Sequence, residues 1–470
     1  MSSGILWFKN DLRLDDNPAL VAAAGQVDRL ICVYCIDAHF EQSSDYCGAA
    51  RVGPHRSGFI AQALIDLDQQ LADRQQTLLT VRGEPEEVLP RIAAFIEASA
   101  VWAEIERAPD EAAQLGRVSA RLPAGCALVT TEDNTLYRLA DLPYDDLADV
   151  PATFTRFRKT IESTIDNRVP VAAPETLPGA AELSTLVSEL ALESVDVGPW
   201  LPANPRFSGG ERAGQARLAH YLFDTDAIAD YKQTRNGLLG DDYSSKFSPW
   251  LASGCLSARR IAEQVRLYEA RQTANQSTYW LVFELRWREF FHWTLARVDA
   301  ELFSRGGIIG RDDRPTATDG PTIAAWQAGR TGMPFVDANM KELAATGYMS
   351  NRGRQNVASF FARDLAQDWR WGAAWFESQL VDYDVASNWC NWATVAGVGT
   401  DKRDNGFNVL SQAKRYDAKA EYVLYWLPEL EAVPAKWRHT PWLADADTLA
   451  AIGYPRLAHI PRDWGNHLPD

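Results

Sequence analysis

The hydrophobic pattern of this chain changes period once, and that change decides what it can fold into. Residues 1–132 alternate short β-rich runs, GILWFKN, RLICVYCI, TLLTVRG, AVWAEIE and CALVTTED, with amphipathic helical runs such as LIDLDQQLADR and PEEVLPRIAAFIEA. Enough chain separates successive strands for a crossover helix, so the pattern predicts a doubly wound parallel sheet. Residues 133–207 are Pro-rich with little periodicity and read as a long connection. From 208 to 470 the periodicity is helical, in ERAGQARLAHYLFD, SARRIAEQVRLYEA and STYWLVFELRWREFFHWTLARV. The expected architecture is an α/β N-terminal domain, a linker and an all-α C-terminal domain.

Composition removes several function classes. Hydrophobic residues make up 46% of the 470 residues, yet no run approaches the roughly 18 apolar residues of a membrane span. The first strand-like run begins at Ile5, so no targeting peptide is expected and a cytoplasmic setting fits. Cys32 and Cys35 form a lone CxxC inside LICVYCID, where a buried strand is expected, because a zinc site needs two more ligands nearby. The net charge of −16 is concentrated at one end: residues 1–200 hold 16 Lys+Arg against 31 Asp+Glu, and residues 201–470 hold 31 against 32. A near-neutral second half has room for a basic patch, so the total charge does not exclude nucleic acid.

The stretch GYMSNRGRQNVASFFARDLAQDWRWGAAWFESQLVDYDVASNWCNWATVAGVG, residues 347–399, places polar groups where a helical core should be apolar. Asp384, Asn388 and Trp392 recur at i, i+4, i+8, and Asn351 and Arg354 at i, i+3, each set on one helix face. A guanidinium, carboxylates and amides buried among tryptophans need partners. A large, flat, polar-edged ligand would supply them. Upstream, Ser244, Ser245, Lys246, Phe247 and Ser248 precede Pro249 and a helical run, which suits either an anion site for a phosphate group or an ordinary helix cap. Tyr231, Lys232 and Arg235 add a phenol and two cations. Glu284, Trp287, Arg288 and Phe291 share a face that reads either as a salt-bridged aromatic surface or as a carboxylate and aromatic platform for a nucleobase. The sole GxG, Gly397 and Gly399, follows no strand and carries little weight as a dinucleotide fingerprint.

These segments, taken in order, resemble the photolyase and cryptochrome family, most closely its DASH branch, over nearly the whole chain. WFKNDLRLDDNPAL is similar to the family's N-terminal signature and TFTRFRK to the element entering its linker. YKQTRNGLLGDDYSSKFSPWLASGCLS, FELRWREFF, GRTGMPFVDANMKELAATGYMSNRGRQNVASFF and VDYDVASNW resemble successive parts of its flavin domain.

The resemblance implies a bent FAD. Tyr231 and Ser244 to Ser248 would cradle its diphosphate, Arg354 and Asp382 would form an ion pair beside the isoalloxazine, Asp384 would bond the ring edge, and Asn388 would face N5. A neutral amide there suits an anionic reduced flavin, which an aspartate would repel. It further implies light-driven splitting of cyclobutane pyrimidine dimers flipped from DNA, preferentially single-stranded, by a monomer. Glu284 and Asn351 would bond the dimer, Trp287 would pack on it, Arg288 would help hold the cofactor, and Arg235, Arg352, Lys402 and Arg403 would face DNA. Trp392 and Trp369 would carry electrons. Glu106 is similar to a position that contacts a folate antenna, methenyltetrahydrofolate, in relatives, with Glu104 close by.

Three positions depart from the pattern. Thr316 stands where the distal tryptophan of the electron chain would be, leaving Trp371 or Trp375 as substitutes; Thr394 stands at the second aromatic wall of the lesion site; and Cys390 stands where the branch carries glycine. A photoreceptor that signals, or a regulatory nucleic-acid-binding flavoprotein, are the competing readings. Repair of (6-4) lesions is disfavoured, because GYMSNRGRQN lacks the histidines that chemistry needs.

Overall fold

The computed structural model describes residues 2–180, 182–400, 406–457, 461 and 464. Five strands form in the first 132 residues: β1 (Ser3–Phe8), β2 (Arg29–Ile36), β3 (Leu78–Arg82), β4 (Ala98–Glu104) and β5 (Ala127–Thr131). They lie in the order β5-β4-β1-β2-β3, all parallel. Helices Pro18–Ala24, Pro54–Ala72, Pro85–Phe95 and Pro109–Arg121 make the crossovers, and each opens on a proline. Proline's fixed φ suits the first helical position, and its missing N–H falls where no intrahelical partner exists. Cys32 and Cys35 lie inside β2, buried and unbridged, and burial pushes the Cys32 thiol up to about 12.

The stretch 133–207 holds more structure than its lack of periodicity suggested. It forms helices Phe154–Thr164 and Leu183–Glu189 and two strands of two residues each, β6 (Gly179–Ala180) and β7 (Glu193–Ser194). β6 pairs with β2, and β7 pairs antiparallel with β3. Two residues carry no period, so only their tertiary pairing defines them.

A latch joins the sheet domain to the helical domain, and it is made from the N-terminal signature. Arg259 Nε lies 2.8 Å from Asp16 Oδ2, with both side chains almost wholly buried, and Ser257 donates to the same carboxylate. Burial alone would raise Asp16, but Arg259 and Arg13 hold it below the usual range. Arg13 donates to Gly254 O at 2.8 Å, and Glu211 accepts the Leu14 and Asp15 amides at 2.7 and 3.1 Å. Arg260 clamps Asp15 at 2.7 Å through both Nε and Nη2. Gly254 is required here: its φ is +70°, and a Cβ would lie 1.8 Å from Asn10 O.

The helices that matter for the site are Ser248–Ala252, Gln276–Val298, Asn351–Ser359, Trp369–Gln379 and Val385–Val395. Their polar starts are capped: Asn275 accepts from Thr278 N at 3.1 Å, Ser350 from Gly353 N at 3.0 Å, and Asp384 from Ser387 N at 2.7 Å. No helix among the described residues is long and apolar enough to cross a membrane.

Candidate functional site

The ion pair expected from the sequence forms. Arg354 Nη2 lies 2.9 and 2.8 Å from the two oxygens of Asp382, and Ser248 Oγ donates to Asp382 Oδ2 at 2.6 Å. Arg354 Nε is held by Met349 O at 2.8 Å, and its guanidinium lies 5.3 Å from the Tyr348 ring centroid. Three segments far apart in sequence therefore fix one guanidinium whose burial Asp382 more than offsets.

Beside this pair lies a cluster of cations: Arg206 faces Asp241 at 3.4 Å and Glu342 at 3.9 Å, Arg217 pairs with Asp242 at 2.6 Å, and Lys246 donates to Gly240 O. Lys246 is 2% exposed in its side chain, and its neighbouring carboxylate, Asp241 at 3.6 Å, is 81% exposed. Burial and adjacent Arg206 pull the Lys246 ammonium down to about 8. Arg217 donates to Ser245 O and Ser244 O at 3.0 and 3.1 Å, holding the serine run in place. Among the described residues, Arg206 Nε and Tyr243 Oη are buried without a hydrogen-bond partner. The Ser248–Ala252 helix is a single turn, so the anion preference comes from these side chains rather than from a helix dipole. A diphosphate matches this donor set in charge and in acceptor number. Tyr231 is buried at the edge of this region, and Phe247 packs beneath it through Tyr221.

Asp384 caps the Val385–Val395 helix and lies 3.1 Å from His292 Nε2. Burial would raise its carboxyl, but His292 and Arg288 hold it well below the usual range. Asn388 is buried one turn on, with Nδ2 donating to Ala373 O at 3.0 Å, which leaves Oδ1 as the free acceptor. His292 was missed in the sequence because nothing there shows which element its helix faces.

On the Gln276–Val298 helix, Glu284 pairs with Arg235. Burial raises its carboxyl and Arg235 opposes the rise. Trp287 stacks on Phe154 at 3.7 Å and 14°, so the TFTRFRK element covers one face of the indole, and Phe290 and Phe291 pack around it at 5.8 and 5.4 Å. Arg288 donates to the carbonyl and side chain of Asn134 while its charge acts on Asp384. Asn351 is exposed at the first turn of its helix. Arg352 donates to Asn236 Oδ1 and Gln355 Oε1, both at 3.0 Å. Lys402 and Arg403 lie outside the described residues.

Trp392 is buried, with ring contacts to Trp326 at 6.1 Å, Phe361 at 6.0 Å and Phe376 at 5.2 Å. Gly372 is the reason it fits, since a Cβ there would lie 2.2 Å from the indole. Trp369 is buried against Trp389 at 5.7 Å. Thr316 is exposed next to this region. Thr394 spends its hydroxyl on Cys390 O at 2.7 Å, within its own helix.

A cavity of about 610 Å³ lies between the domains, at the carboxyl ends of β1 and β4. These strands flank the point where the strand order reverses, the usual ligand crevice of such sheets. Glu106 is already satisfied there, accepting from Lys9 Nζ at 2.5 Å and Asn10 Nδ2 at 2.6 Å. Glu104 is fully buried, and among the described residues neither of its oxygens has a hydrogen-bond partner. Burial, with Asp11, Glu106 and Asp133 nearby, raises Glu104 well above the usual range. Strand alternation puts 104 and 106 on one side, the signal by which Glu104 could have been singled out.

Comparison with known proteins agrees with this geometry. Residues 4–176 match the DNA photolyase family model, and residues 280–462 match the FAD binding domain of DNA photolyase. The chain is 48% identical to a cryptochrome DASH of Natronomonas pharaonis, covering 95% of this chain and 94% of the relative. The crystal structure of a Synechocystis cryptochrome superposes with a TM-score of 0.92 at 40% identity, covering 98% of this chain and 97% of that one. A class III photolyase from Agrobacterium tumefaciens follows with a TM-score of 0.81 at 26% identity, covering 100% and 96%. The protein belongs to the photolyase and cryptochrome family, in its DASH branch, and carries that family's FAD-binding domain.

Proposed function

We propose that this protein is a DASH-type photolyase that splits cyclobutane pyrimidine dimers in DNA, preferentially single-stranded. The observation that carries the reading is the joining of two faces. His292 meets Asp384 at 3.1 Å, so the helix that carries Glu284 and Trp287 packs against the start of the helix that carries Asp384 and Asn388.

When bound in its reduced form, FAD supplies the light-driven electron that opens the cyclobutane ring and takes it back. Arg354, Lys246 and Ser244 to Ser248 bind it, Arg354 with Asp382 orients it, and Asp384 holds the ring edge. Asn388 presents an uncharged oxygen, so it does not repel an electron-rich ring. Glu284, held beside Arg235, presents its carboxyl group to the polar edge of a pyrimidine, and Trp287 packs on the base. Asn351 adds a second polar contact at the mouth. Trp392 and Trp369 deliver electrons that restore the reduced cofactor. Arg235 and Arg352 contact phosphates. The interdomain cavity takes an antenna of the folate type, methenyltetrahydrofolate, with Glu104 and Glu106 at its polar edge.

The single-strand preference follows from Thr394. Stacking on an aromatic contributes about 1 to 3 kcal/mol per base, and extracting a dimer from a duplex costs a few kcal/mol. With threonine as the second wall, the duplex cost goes largely uncompensated. The test is anaerobic, light-dependent splitting of a defined dimer by reduced protein on single- and double-stranded oligonucleotides. Faster repair of the single strand, lost in Glu284→Ala, is the expected result. No splitting of either substrate would leave signalling by a flavin photoreceptor as the better account.

A further inference from the structure

Thr316 removes the usual outer end of the tryptophan chain, yet an aromatic path to the surface exists in another direction. Trp389 follows Asn388 on the helix that carries Trp392. Its indole lies 5.7 Å from Trp369 at 75° and 6.3 Å from Tyr46 at 58°. Trp369 and Trp389 are buried, whereas Tyr46, contributed by the sheet domain, is only partly buried. The Arg370 guanidinium lies 5.3 Å from the Tyr46 ring and is clamped at 2.7 Å by Asp368. Trp389 Nε1 donates to Tyr383 Oη at 3.1 Å, which fixes the indole beside Trp369 and Tyr46, with Phe303 packed on it at 4.9 Å.

We propose that Trp389 and Tyr46 form the outer limb of the electron chain, with Tyr46 as the residue that meets solution. This rests on the electron-transfer reading of Trp392 and Trp369 given above. Buried indoles pass the electron but have no base to take a proton, so the hole on them is reversible and short-lived. Tyr46 differs because it reaches water. One electron leaves Tyr46 and passes through Trp389 toward the flavin, while the phenolic proton goes to water, leaving a neutral tyrosyl radical. A thiol in solution then returns one hydrogen atom to the phenolic oxygen and becomes a thiyl radical, which closes the balance. Arg370, pinned by Asp368, places a fixed cation beside the ring and favours the neutral radical over the radical cation.

The test uses the FAD-loaded, full-length protein illuminated with a thiol present. Tyr46→Phe keeps the ring and removes the ionisable proton, so it should fold normally. We expect it to lower the yield of stable reduced flavin several-fold and to abolish a tyrosyl signal in electron paramagnetic resonance. With a nitrone spin trap, peptide mass spectrometry of illuminated wild type should locate the adduct on Tyr46. Trp371→Phe should leave both readouts unchanged. An unchanged yield in Tyr46→Phe, an adduct elsewhere, or collapse in Trp371→Phe alone would overturn the proposal. Trp392→Phe separates the two layers: normal photoreduction in that variant defeats the underlying electron-transfer reading, whereas its loss together with an inert Tyr46→Phe defeats only the outer limb.

Discussion

The latch between the domains and the Arg354 and Lys246 cluster of the helical domain use the same residue types, and they differ in whether buried side-chain atoms are left without a hydrogen-bond partner among the described residues. In the latch, Asp16 is held by Arg259 and Ser257, Asp15 by Arg260, and Glu211 by two backbone amides. In the cluster, Lys246 donates to Gly240 O and Arg206 faces Asp241 and Glu342, yet Arg206 Nε and Tyr243 Oη are buried with no hydrogen-bond partner among the described residues. Across the interdomain cavity both oxygens of Glu104 are likewise without a hydrogen-bond partner among the described residues. A matched buried network holds a fold together; an unmatched one persists only where a ligand completes it.

The largest expected effects fall on the two ion pairs. Removing one partner of a buried pair costs about 3 to 5 kcal/mol, and Arg259→Ala should lose that much stability whether or not FAD is present. Arg354→Ala should lose a similar amount only in part through Asp382, and should also release flavin. Thermal melts of apo and loaded protein separate the two: a flavin-dependent loss in Arg259→Ala would break the comparison. Next in size is a pH effect beside the latch. Asp11 is pushed up to about 6 by burial and by Asp133. Folded protein therefore holds a proton there that the unfolded chain gives up, and stability falls as pH rises from about 4 to 6, by up to roughly 3 kcal/mol. Urea melts of the wild type should show this slope, and Asp11→Asn should flatten it.

The parallel sheet, its crossovers and the Arg354 and Asp382 pair were legible because each rests on a local pattern or a long motif. The latch was not. WFKNDLRLDDNPAL could be matched to a signature, but nothing in it announces that Asp16 meets Arg259 from 243 residues away. The same limit hid the stacking of Phe154 on Trp287 and the pairing of His292 with Asp384. Glu106 shows the reverse: the resemblance pointed to it, and the structure finds it already paired, with Glu104 the unpartnered neighbour.

Smaller effects sharpen the picture. Thr394→Tyr should restore a stacking surface of about 1 to 3 kcal/mol per base and narrow the gap between duplex and single-stranded dimers in a competition binding assay. Binding to both should weaken with salt, because Arg235 and Arg352 act through phosphates. Glu104→Gln keeps the shape of the side chain and, with burial already raising the carboxyl well above its usual range, should change stability by less than about 1 kcal/mol. It should nevertheless lower retention of a folate-type antenna, measured by its absorbance after gel filtration. A strongly destabilised Glu104→Gln would instead show that the carboxyl is structural.

The most direct test of the account is FAD titration of the apoprotein carrying Lys246→Met, read by flavin fluorescence alongside the melt of the apoprotein. A buried cation kept for a ligand should be dispensable to the fold, so the variant should melt no lower than wild type. Loss of one charge-assisted contact to the diphosphate, about 1.5 to 3 kcal/mol, should weaken FAD binding about tenfold or more. A variant that melts well below wild type yet binds FAD with unchanged affinity would contradict the account.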